Sequence, residues 1–546
     1  MPEAAAIVTN RRLISSQLPR RAGWSALLFL IALITSAPLI VALFSMLADT
    51  GDVWPHLARY ILPEALLNTV ALVVGVGIVA GSIGVSVAWL VAACEFPGRR
   101  FFAWALLLPM AMPGYVMGFA FAAIFDFTGP LQTMWRSLLG PDTPFPDIGG
   151  RGAAIAVLSL ALYPYVYLIV REAFASQGVR SLEIAQSCGL RPLRGFFSVS
   201  LPMARPFIVG GVSLAVMECL ADFGTVQLFN YTTFTTAIYR AWFGLFSLQS
   251  ALQLSLVLVA LVLIALLVER RLRRQSRYTA AGAPRNERRI RLSSMRAGFA
   301  STWCGLVFVL AFGLPASLIV SWSIRSFAIE FDERYWQFAG NSLMLSFSAA
   351  ALITLIALLL CYSNRLAPGR INNGLARIAT LGYAIPGTVL AVGFFVPVAA
   401  LSQWFNRYID GPTLALQSGL AVVFLAYSAR YVAVAHNPVE SALQRIKPSL
   451  EEASRGMGVT GLRMLRNVHV PILRPAIVIA ALLVFVDIMK ELPITLMTRP
   501  FGWDTLAVRV FQLTTEGEWE RAALPALAIV LVGLIPVVLL SRRIRQ

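Results

Sequence analysis

The chain has 546 residues, of which 58% are hydrophobic and 13% charged, and its mean hydropathy is +0.74. Soluble globular proteins carry about 25% charged residues, so this composition, arranged in long apolar runs, excludes an ordinary soluble domain and predicts a membrane protein. The net charge of +18 comes mainly from arginines in short loops between the apolar runs, which argues against nucleic-acid binding.

Twelve apolar runs are long enough to cross a bilayer, which takes about 20 residues of helix. The first follows an arginine-rich tail and lacks a clear cleavage site, so we expect it to be retained in the lipid rather than removed as a signal peptide. The predicted fold class is an all-α integral membrane protein. The spans lie near 24–47, 66–94, 101–125, 152–173, 206–228, 248–268, 299–323, 341–363, 376–400, 415–436, 475–498 and 523–541.

Arginine-rich loops alternate along the chain with loops that are poorer in arginine and richer in acid. With twelve spans, all the basic loops fall on one face of the membrane, together with both termini. The positive-inside rule makes that face cytoplasmic. We therefore predict a multi-pass protein with both termini in the cytoplasm.

The sequence repeats itself with a period of about 270 residues. Pro113-Gly114 in the first half matches Pro386-Gly387 in the second. Because each half contains six spans, both halves have the same orientation, and we expect a pseudo-two-fold axis along the membrane normal. The predicted organisation is a tail at 1–23, a first half at 24–268, a basic cytoplasmic linker at 269–298, a second half at 299–541 and a tail at 542–546.

Each Pro-Gly pair lies inside the third predicted span of its half. Proline removes a helical hydrogen bond, and lipid tolerates such a break only where protein or a water-filled cavity covers the freed backbone. We predict helix kinks at Pro113, Gly114, Pro386 and Gly387. Two roles stay open for them, a packing adjustment and a bend that opens and closes a pathway.

A polar segment of twenty residues occurs at the same place in each half. It reads EIAQSCGLRPLRGFFSVSLP at 183–202 and EASRGMGVTGLRMLRNVHVP at 452–471, in the longest basic loops, 174–205 and 437–474. Ser449 and Glu452 have the spacing of a capping box. This spacing predicts a short helix that ends near Gly458, because glycine fits a left-handed C-terminal cap.

The repeated pattern of Glu, a Gly six residues later, an aliphatic residue ten further on and a closing Leu-Pro or Val-Pro resembles the EAA loop of ABC importer permeases. That loop docks on the cytosolic ATPase. The resemblance implies the type I ABC importer permease fold and two ATPase copies, one for each segment. Ile184 and Ser454 depart from the family's alanines, and Val470 from its leucine. The resemblance to the EAA loop assigns ATPase coupling to Glu183, Ala185, Gly189, Leu201, Pro202, Glu452, Ala453, Gly458, Val470 and Pro471.

The chain lacks chemistry of its own for energy conversion. No G-x-x-x-x-G-K-[ST] stretch is present, so we expect no enzymatic activity and no cofactor on this chain, with ATP and Mg²⁺ bound by the partner ATPase. The five cysteines are scattered and the three histidines lie far apart in the sequence. We therefore predict no metal site and apolar packing roles for the cysteines.

The fifth predicted span of each half carries two acids. Glu218 and Asp222 are four residues apart and are expected to share a helix face, and Asp487 and Glu491 are their equivalents. Ionisable groups within spans usually face a bundle interior or water. Two interpretations stay open, pairing with basic side chains such as Arg430 and a polar translocation path.

The stretches at 221–244 and 489–513 resemble the corresponding stretches of ferric-iron permeases of the fused two-half type. The resemblance implies an inner-membrane subunit, surrounded by lipid, that passes Fe(III) delivered by a periplasmic binding protein. Related permeases for thiamine, phosphonates, sulfate or polyamines share the architecture and stay open as alternatives. A secondary transporter is the alternative from another class, since duplicated twelve-span bundles occur there too.

Overall fold

The computed structural model describes residues 3–47, 53–140, 143–145, 149–177, 187, 189, 192–274, 289–408 and 419–545. Almost all the secondary structure of these residues is helical. The two strands among them are Cys94–Glu95 and Ile290–Arg291, which pair in parallel with Cys94 opposite Ile290.

Within the described residues, twelve helical segments are long and apolar enough to cross a membrane, which confirms the predicted number and fold class. We call them spans 1 to 12. They are Ala22–Leu47, Val53–Ala93, Gly114–Leu139, Gly150–Ala175, Phe196–Ala221, Leu248–Arg273, Ser294–Glu330, Glu333–Leu366, Gly387–Tyr408, Leu420–Gln444, Gly461–Met489 and Trp519–Leu539.

The third span of each half is broken rather than kinked, so the continuous spans predicted at 101–125 and 376–400 are wrong. In the first half, helix Arg99–Ala105 and a 3-10 turn at Leu108–Ala111 precede an extended Pro113, and the next helix starts at Gly114. The second half repeats this order with Arg370–Thr380 and Leu381–Ala384 before Gly387. Proline lacks the N–H that a continuous helix needs and holds the preceding residue extended.

Among the described residues, five wide π turns interrupt the helical segments, and four of them are followed by a proline two residues beyond their end. The missing N–H of that proline interrupts the regular i to i−4 ladder, which the wider turn accommodates. One of these turns opens span 5 just before Pro202, and another lies in the first part of span 11 just before Pro471. The turns are Leu57–Ile61, Phe196–Ser200, Arg240–Gly244, Val309–Gly313 and Leu465–His469.

Short helices between the spans enter the description of the site below. They are Pro192–Gly195, Gly224–Leu228, Phe234–Tyr239, Pro448–Gly456, Pro493–Thr498 and Leu506–Thr515.

The chain forms two compact units that follow packing rather than sequence order. One unit contains Met1–Ala48 and Gly340–Trp503, and in it span 1 packs on spans 9 and 10 and on helix Arg370–Thr380. The other contains Asp49–Ala339 and Asp504–Gln546, where spans 2, 4 and 5 pack together and span 7 pairs with span 12. The predicted halves 24–268 and 299–541 were defined by sequence repetition. The division into packing units does not test them, so they stay a prediction.

Buried tyrosines of span 4 cover the backbone that the first break leaves open. The hydroxyl of Tyr163 donates to the carbonyl oxygen of Leu106 at 2.9 Å, and that of Tyr167 donates to Ala103 at 3.0 Å. Unpaired carbonyls are costly in an apolar interior. These bonds therefore stabilise the break.

Candidate coupling segments and helix breaks

The polar loop of the second half contains helix Pro448–Gly456. The predicted capping box is wrong, because Lys447 occupies the N-cap position, no side chain caps the helix, and Ser449 lies within its first turn. Pro448 explains the difference. Its fixed φ suits the first helical position, and it has no N–H that requires a cap.

The helix ends as predicted, at a left-handed glycine. Gly458 has φ +79°, its N–H donates to the carbonyl of Arg455 at 3.0 Å, and the N–H of Val459 donates to Ser454 at 2.9 Å. A Cβ at Gly458 would meet no atom within 4 Å. The requirement for glycine therefore comes from the backbone conformation and not from crowding.

Most of the predicted coupling residues of this segment face outward. Glu452, Ala453, Gly458 and Pro471 are exposed and Val470 is half-buried. Among the described residues, Glu452 and Ala453 are thus accessible to a partner, as a docking helix requires. Their role in ATPase coupling stays a prediction.

A buried carboxylate next to this exposed face anchors the helix. Glu451 is 7% exposed, and its Oε1 accepts a hydrogen bond from Nε of Arg365 at 2.5 Å. The same oxygen lies 3.2 Å from Nε2 of the fully buried His469, and Oε2 is 3.3 Å from Nη2 of Arg455. We call Glu451, Arg365, Arg455 and His469 the anchor cluster.

Arg365 extends the anchor cluster to span 10. Its guanidinium donates to the carbonyl of Leu443 and, at 2.7 Å, to that of Ile446, at the end of span 10. Nearby, the hydroxyl of Tyr362 in span 8 donates to the carbonyl of Gly461 at 2.7 Å. Span 8 thus contacts the exposed helix at Glu451 and the start of the following helix at Gly461.

The anchor cluster was not foreseen from the sequence. Glu451 stands beside the pattern-matching Glu452, and Arg365 counted only as one of many loop arginines. In the first segment, Leu182 and Ser200 stand at the positions of Glu451 and His469. An ionisable residue in one repeat opposite an uncharged residue in the other is the sequence signal that would have pointed to the cluster.

The first coupling segment lies partly outside the described residues, including Glu183 and Ala185. Gly189 is described, and its φ of +78° matches that of Gly458. Leu201 and Pro202 begin the helix that runs to Ala221. The two segments therefore share the left-handed glycine and the proline entry into the following span.

The predicted acid pairs do not share a helix face, because spans 5 and 11 end before the second acid. Span 5 ends at Ala221, and the carboxylate of Asp222 then caps the next short helix. Its Oδ1 accepts from the N–H groups of Thr225 and Val226 at 3.1 and 3.2 Å, and its Oδ2 accepts from the Thr225 hydroxyl at 2.8 Å. These bonds satisfy N–H groups that a helix start leaves unpaired.

Glu491 has the same structural function in the second half. Span 11 ends at Met489, and the Glu491 carboxylate accepts from the N–H groups of Ile494 and Thr495 at 2.8 and 3.0 Å. Arg430, one of the basic partners considered above, contributes an electrostatic interaction with this buried acid. Both second acids thus stabilise a short helix that restarts inside the protein.

The first acids of each pair are less enclosed. Glu218 is half-buried, and Asp487 lies 3.3 Å from the ammonium group of Lys490, with its side chain 33% exposed. Of the two interpretations given above for these acids, pairing with a basic side chain therefore describes Asp487. A place for Glu218, Asp222, Asp487 or Glu491 in a translocation path stays a prediction.

Each Pro-Gly break lies against an acid-capped helix. A Cβ at Gly114 would be 3.2 Å from Oδ2 of Asp222, and a Cβ at Gly387 would be 3.0 Å from Oε1 of Glu491. The break before span 3 and the break after span 5 therefore meet, as do those of spans 9 and 11. Interrupted helices at matching places in two repeats are typical of the substrate pathway of transporters.

Replacing Gly387 with alanine tests this close approach. The new methyl group would also crowd Nη1 of Arg430 at 3.2 Å, so we expect a loss of about 1–3 kcal/mol in stability and reduced substrate uptake. Gly374→Ala is the matched control, because its Cβ would meet nothing within 4 Å. Thermal unfolding of both purified variants, with uptake in cells, checks the prediction. Equal behaviour of the two variants would contradict it.

Comparison with known families decides the identity. The family described as "Binding-protein-dependent transport system inner membrane component" matches residues 80–277 and 353–546. The chain belongs to this family. It is accordingly a multi-pass inner-membrane permease of an ABC importer, and the two matched regions correspond to two tandem copies of one permease unit. The secondary-transporter alternative is excluded by this membership.

Individual relatives of this permease differ in what their names say they transport. The "Fe(3+)-transport system permease protein FbpB 2" of Haemophilus influenzae is 27% identical over 88% of this chain and 90% of its own length. The "Thiamine transport system permease protein ThiP" of Brucella abortus is 24% identical over 83% of this chain and 82% of its own length. The "Molybdenum transport system permease protein ModB" of Escherichia coli is 29% identical over 36% of this permease and 87% of its own length.

Proposed function

We propose that this permease passes ferric iron, delivered by a periplasmic binding protein, into the cytoplasm. The observation that carries the proposal is the similarity to the iron permease, which extends over 88% of the chain. The stretches 221–244 and 489–513 support it, because they hold the acid-capped helices and resemble ferric-iron permeases. Thiamine is the second candidate, favoured by a relative at 24% identity over 83% of the chain.

The energy for transport comes from two copies of a cytosolic ATPase, one docked on each coupling segment, with ATP and Mg²⁺ bound by those subunits. The exposed face of helix Pro448–Gly456 supports this assignment. In this arrangement the coupling segments and both termini lie in the cytoplasm. The permease itself contributes the passage and binds no cofactor for the transport step.

The passage needs only weak contact with the cargo, because the binding protein makes the selective contacts. Asp222 and Glu491 are engaged in capping short helices. A carboxylate already bonded to N–H groups is a poorer ligand for Fe(III) than a free one. Transient contact favours release on the other side, since an ion bound tightly within the membrane would leave slowly.

Reconstitution tests the cargo directly. The permease, its ATPase and the candidate binding protein are placed in nanodiscs, and ATP hydrolysis is measured with the binding protein either iron-loaded or empty. We expect iron-loaded protein to stimulate hydrolysis several-fold over empty protein, since loading closes the binding protein into the form that engages the permease.

The control uses thiamine- and molybdate-loaded binding proteins at the same concentration. Stimulation by either one, with none by the iron-loaded protein, makes the cargo assignment wrong but leaves the importer intact. If no loaded binding protein stimulates hydrolysis and the ATPase is not recovered with the nanodiscs, the result contradicts ATPase docking instead.

A further inference from the structure

Spans 8 and 10 bring three side chains of metal-binding type together. They are Cys361 of span 8 and His436 and Glu440 of span 10. The sulfur of Cys361, a ring nitrogen of His436 and a carboxylate oxygen of Glu440 all lie within 4.8 Å of one another. Cys361 and His436 are 75 residues apart in the sequence, so no spacing motif reveals the group.

We propose that Cys361, His436 and Glu440 form a binding site for a divalent transition-metal ion of the zinc class. Thiolate, imidazole and carboxylate are the three ligand types that Zn²⁺ takes in proteins, and three protein ligands leave a fourth position for water. To reach zinc bond lengths of about 2.0–2.3 Å, each ligand atom moves inward by roughly half an ångström. Rotation of side chains accommodates a shift of this size.

The surroundings of the three ligands suit an ion. Within the described part of the chain, Nδ1 of His436 is buried and has no hydrogen-bond partner, so the ring has a nitrogen available. Nε2 of Gln444 donates to Oε1 of Glu440 at 2.9 Å. A hydrogen bond of this kind orients a carboxylate ligand and leaves its second oxygen for the metal.

The charges balance when a divalent ion binds. The thiol of Cys361, which donates to the carbonyl of His436 at 3.8 Å, loses its proton to solvent and becomes a thiolate. Its negative charge and that of the Glu440 carboxylate neutralise the two positive charges of the ion, while His436 coordinates as a neutral ring. A neutral complex avoids the penalty of an unpaired charge within a span.

The chemistry separates this site from the proposed cargo. Fe(III) is a hard ion that favours oxygen ligands, whereas a cysteine sulfur with an imidazole favours borderline divalent ions. The site also lies beside the coupling segment, because Tyr362, the neighbour of Cys361, donates to Gly461. An ion here ties span 8 to span 10 next to the anchor cluster.

Cobalt binding tests the proposal, since Co²⁺ occupies zinc sites and gives a thiolate charge-transfer absorption. The full-length permease, purified without a polyhistidine tag and placed in nanodiscs, is titrated with Co²⁺. We expect one saturable equivalent that Zn²⁺ displaces. Cys361→Ser should abolish the charge-transfer band, His436→Gln and Glu440→Gln should weaken binding about tenfold or more, and Gln444→Ala should weaken it about tenfold.

Cys304→Ser is the matched control, because Cys304 is also fully buried but belongs to the other compact unit. It should keep the band unchanged. Absence of a saturable band in the unmodified permease overturns the proposal, as does a band that survives in Cys361→Ser. If thermal unfolding shows that Cys361→Ser is not folded, Glu440→Gln becomes the deciding variant, because Glu440 is only half-buried. An unchanged Co²⁺ affinity in that variant also overturns the site.

Discussion

Glu451→Gln should separate the permease from its ATPase, although Glu451 itself is buried beneath the proposed docking surface. The substitution leaves Arg365 and the fully buried His469 without their carboxylate partner. Removing one member of a buried ion pair costs about 3–5 kcal/mol. The exposed helix Pro448–Gly456 then loses its attachment to span 8. We expect a lower unfolding temperature, loss of ATPase co-purification and loss of uptake.

Two further variants identify the cause. Glu452→Gln changes the exposed neighbour, so it should leave the unfolding temperature unchanged while weakening ATPase association. Glu451→Gln combined with Arg365→Met removes both charges and should recover part of the lost stability, since replacing a whole buried pair is often close to neutral. A double variant no more stable than Glu451→Gln alone would show that the ion pair does not hold the helix.

Gly458→Val should also uncouple the permease, through the backbone. A left-handed conformation costs an ordinary residue about 1–2 kcal/mol, and a β-branched side chain makes it a genuine outlier. The turn after helix Pro448–Gly456 would then open, and the helix end would shift within the proposed docking surface. We expect ATPase co-purification with membranes to fall several-fold while the twelve spans remain folded.

Gly458→Asn is the matched control at the same position, because asparagine tolerates the left-handed conformation. It should retain most of the ATPase. Gly456→Ala, within the helix and with no atom within 4 Å of the added Cβ, should have no effect. Undiminished ATPase co-purification and uptake in Gly458→Val would falsify the docking role of this turn.

The sequence predicted those features that depend on residues close together in the chain. Span lengths follow from continuous apolar runs, and the end of helix Pro448–Gly456 at Gly458 follows from the conformational freedom of one residue. The same local reasoning placed Pro113 and Pro386 at irregular points in the third spans. It underestimated the irregularity, since whether a proline kinks or ends a helix depends on whether neighbours cover the freed carbonyls.

Asp222 and Glu491 show where helical spacing misleads. Four-residue spacing places two side chains on one face only if the helix continues through both. Here it stops, because the second carboxylate satisfies the N–H groups of the next short helix. That helix lies against a glycine more than 100 residues away in each half, a contact that no local pattern specifies.

By itself, the sequence determined that twelve segments are long and apolar enough to cross the membrane, that the chain repeats one unit, and that each copy has a polar segment with a glycine suited to a left-handed turn. Hydropathy, repetition and backbone freedom are properties of neighbouring residues. Only the tertiary structure decided that Glu451, Arg365 and His469 form one cluster and that Cys361 meets His436 and Glu440. Those groupings join different spans, and the packing of whole helices, rather than any spacing along the chain, sets which side chains meet.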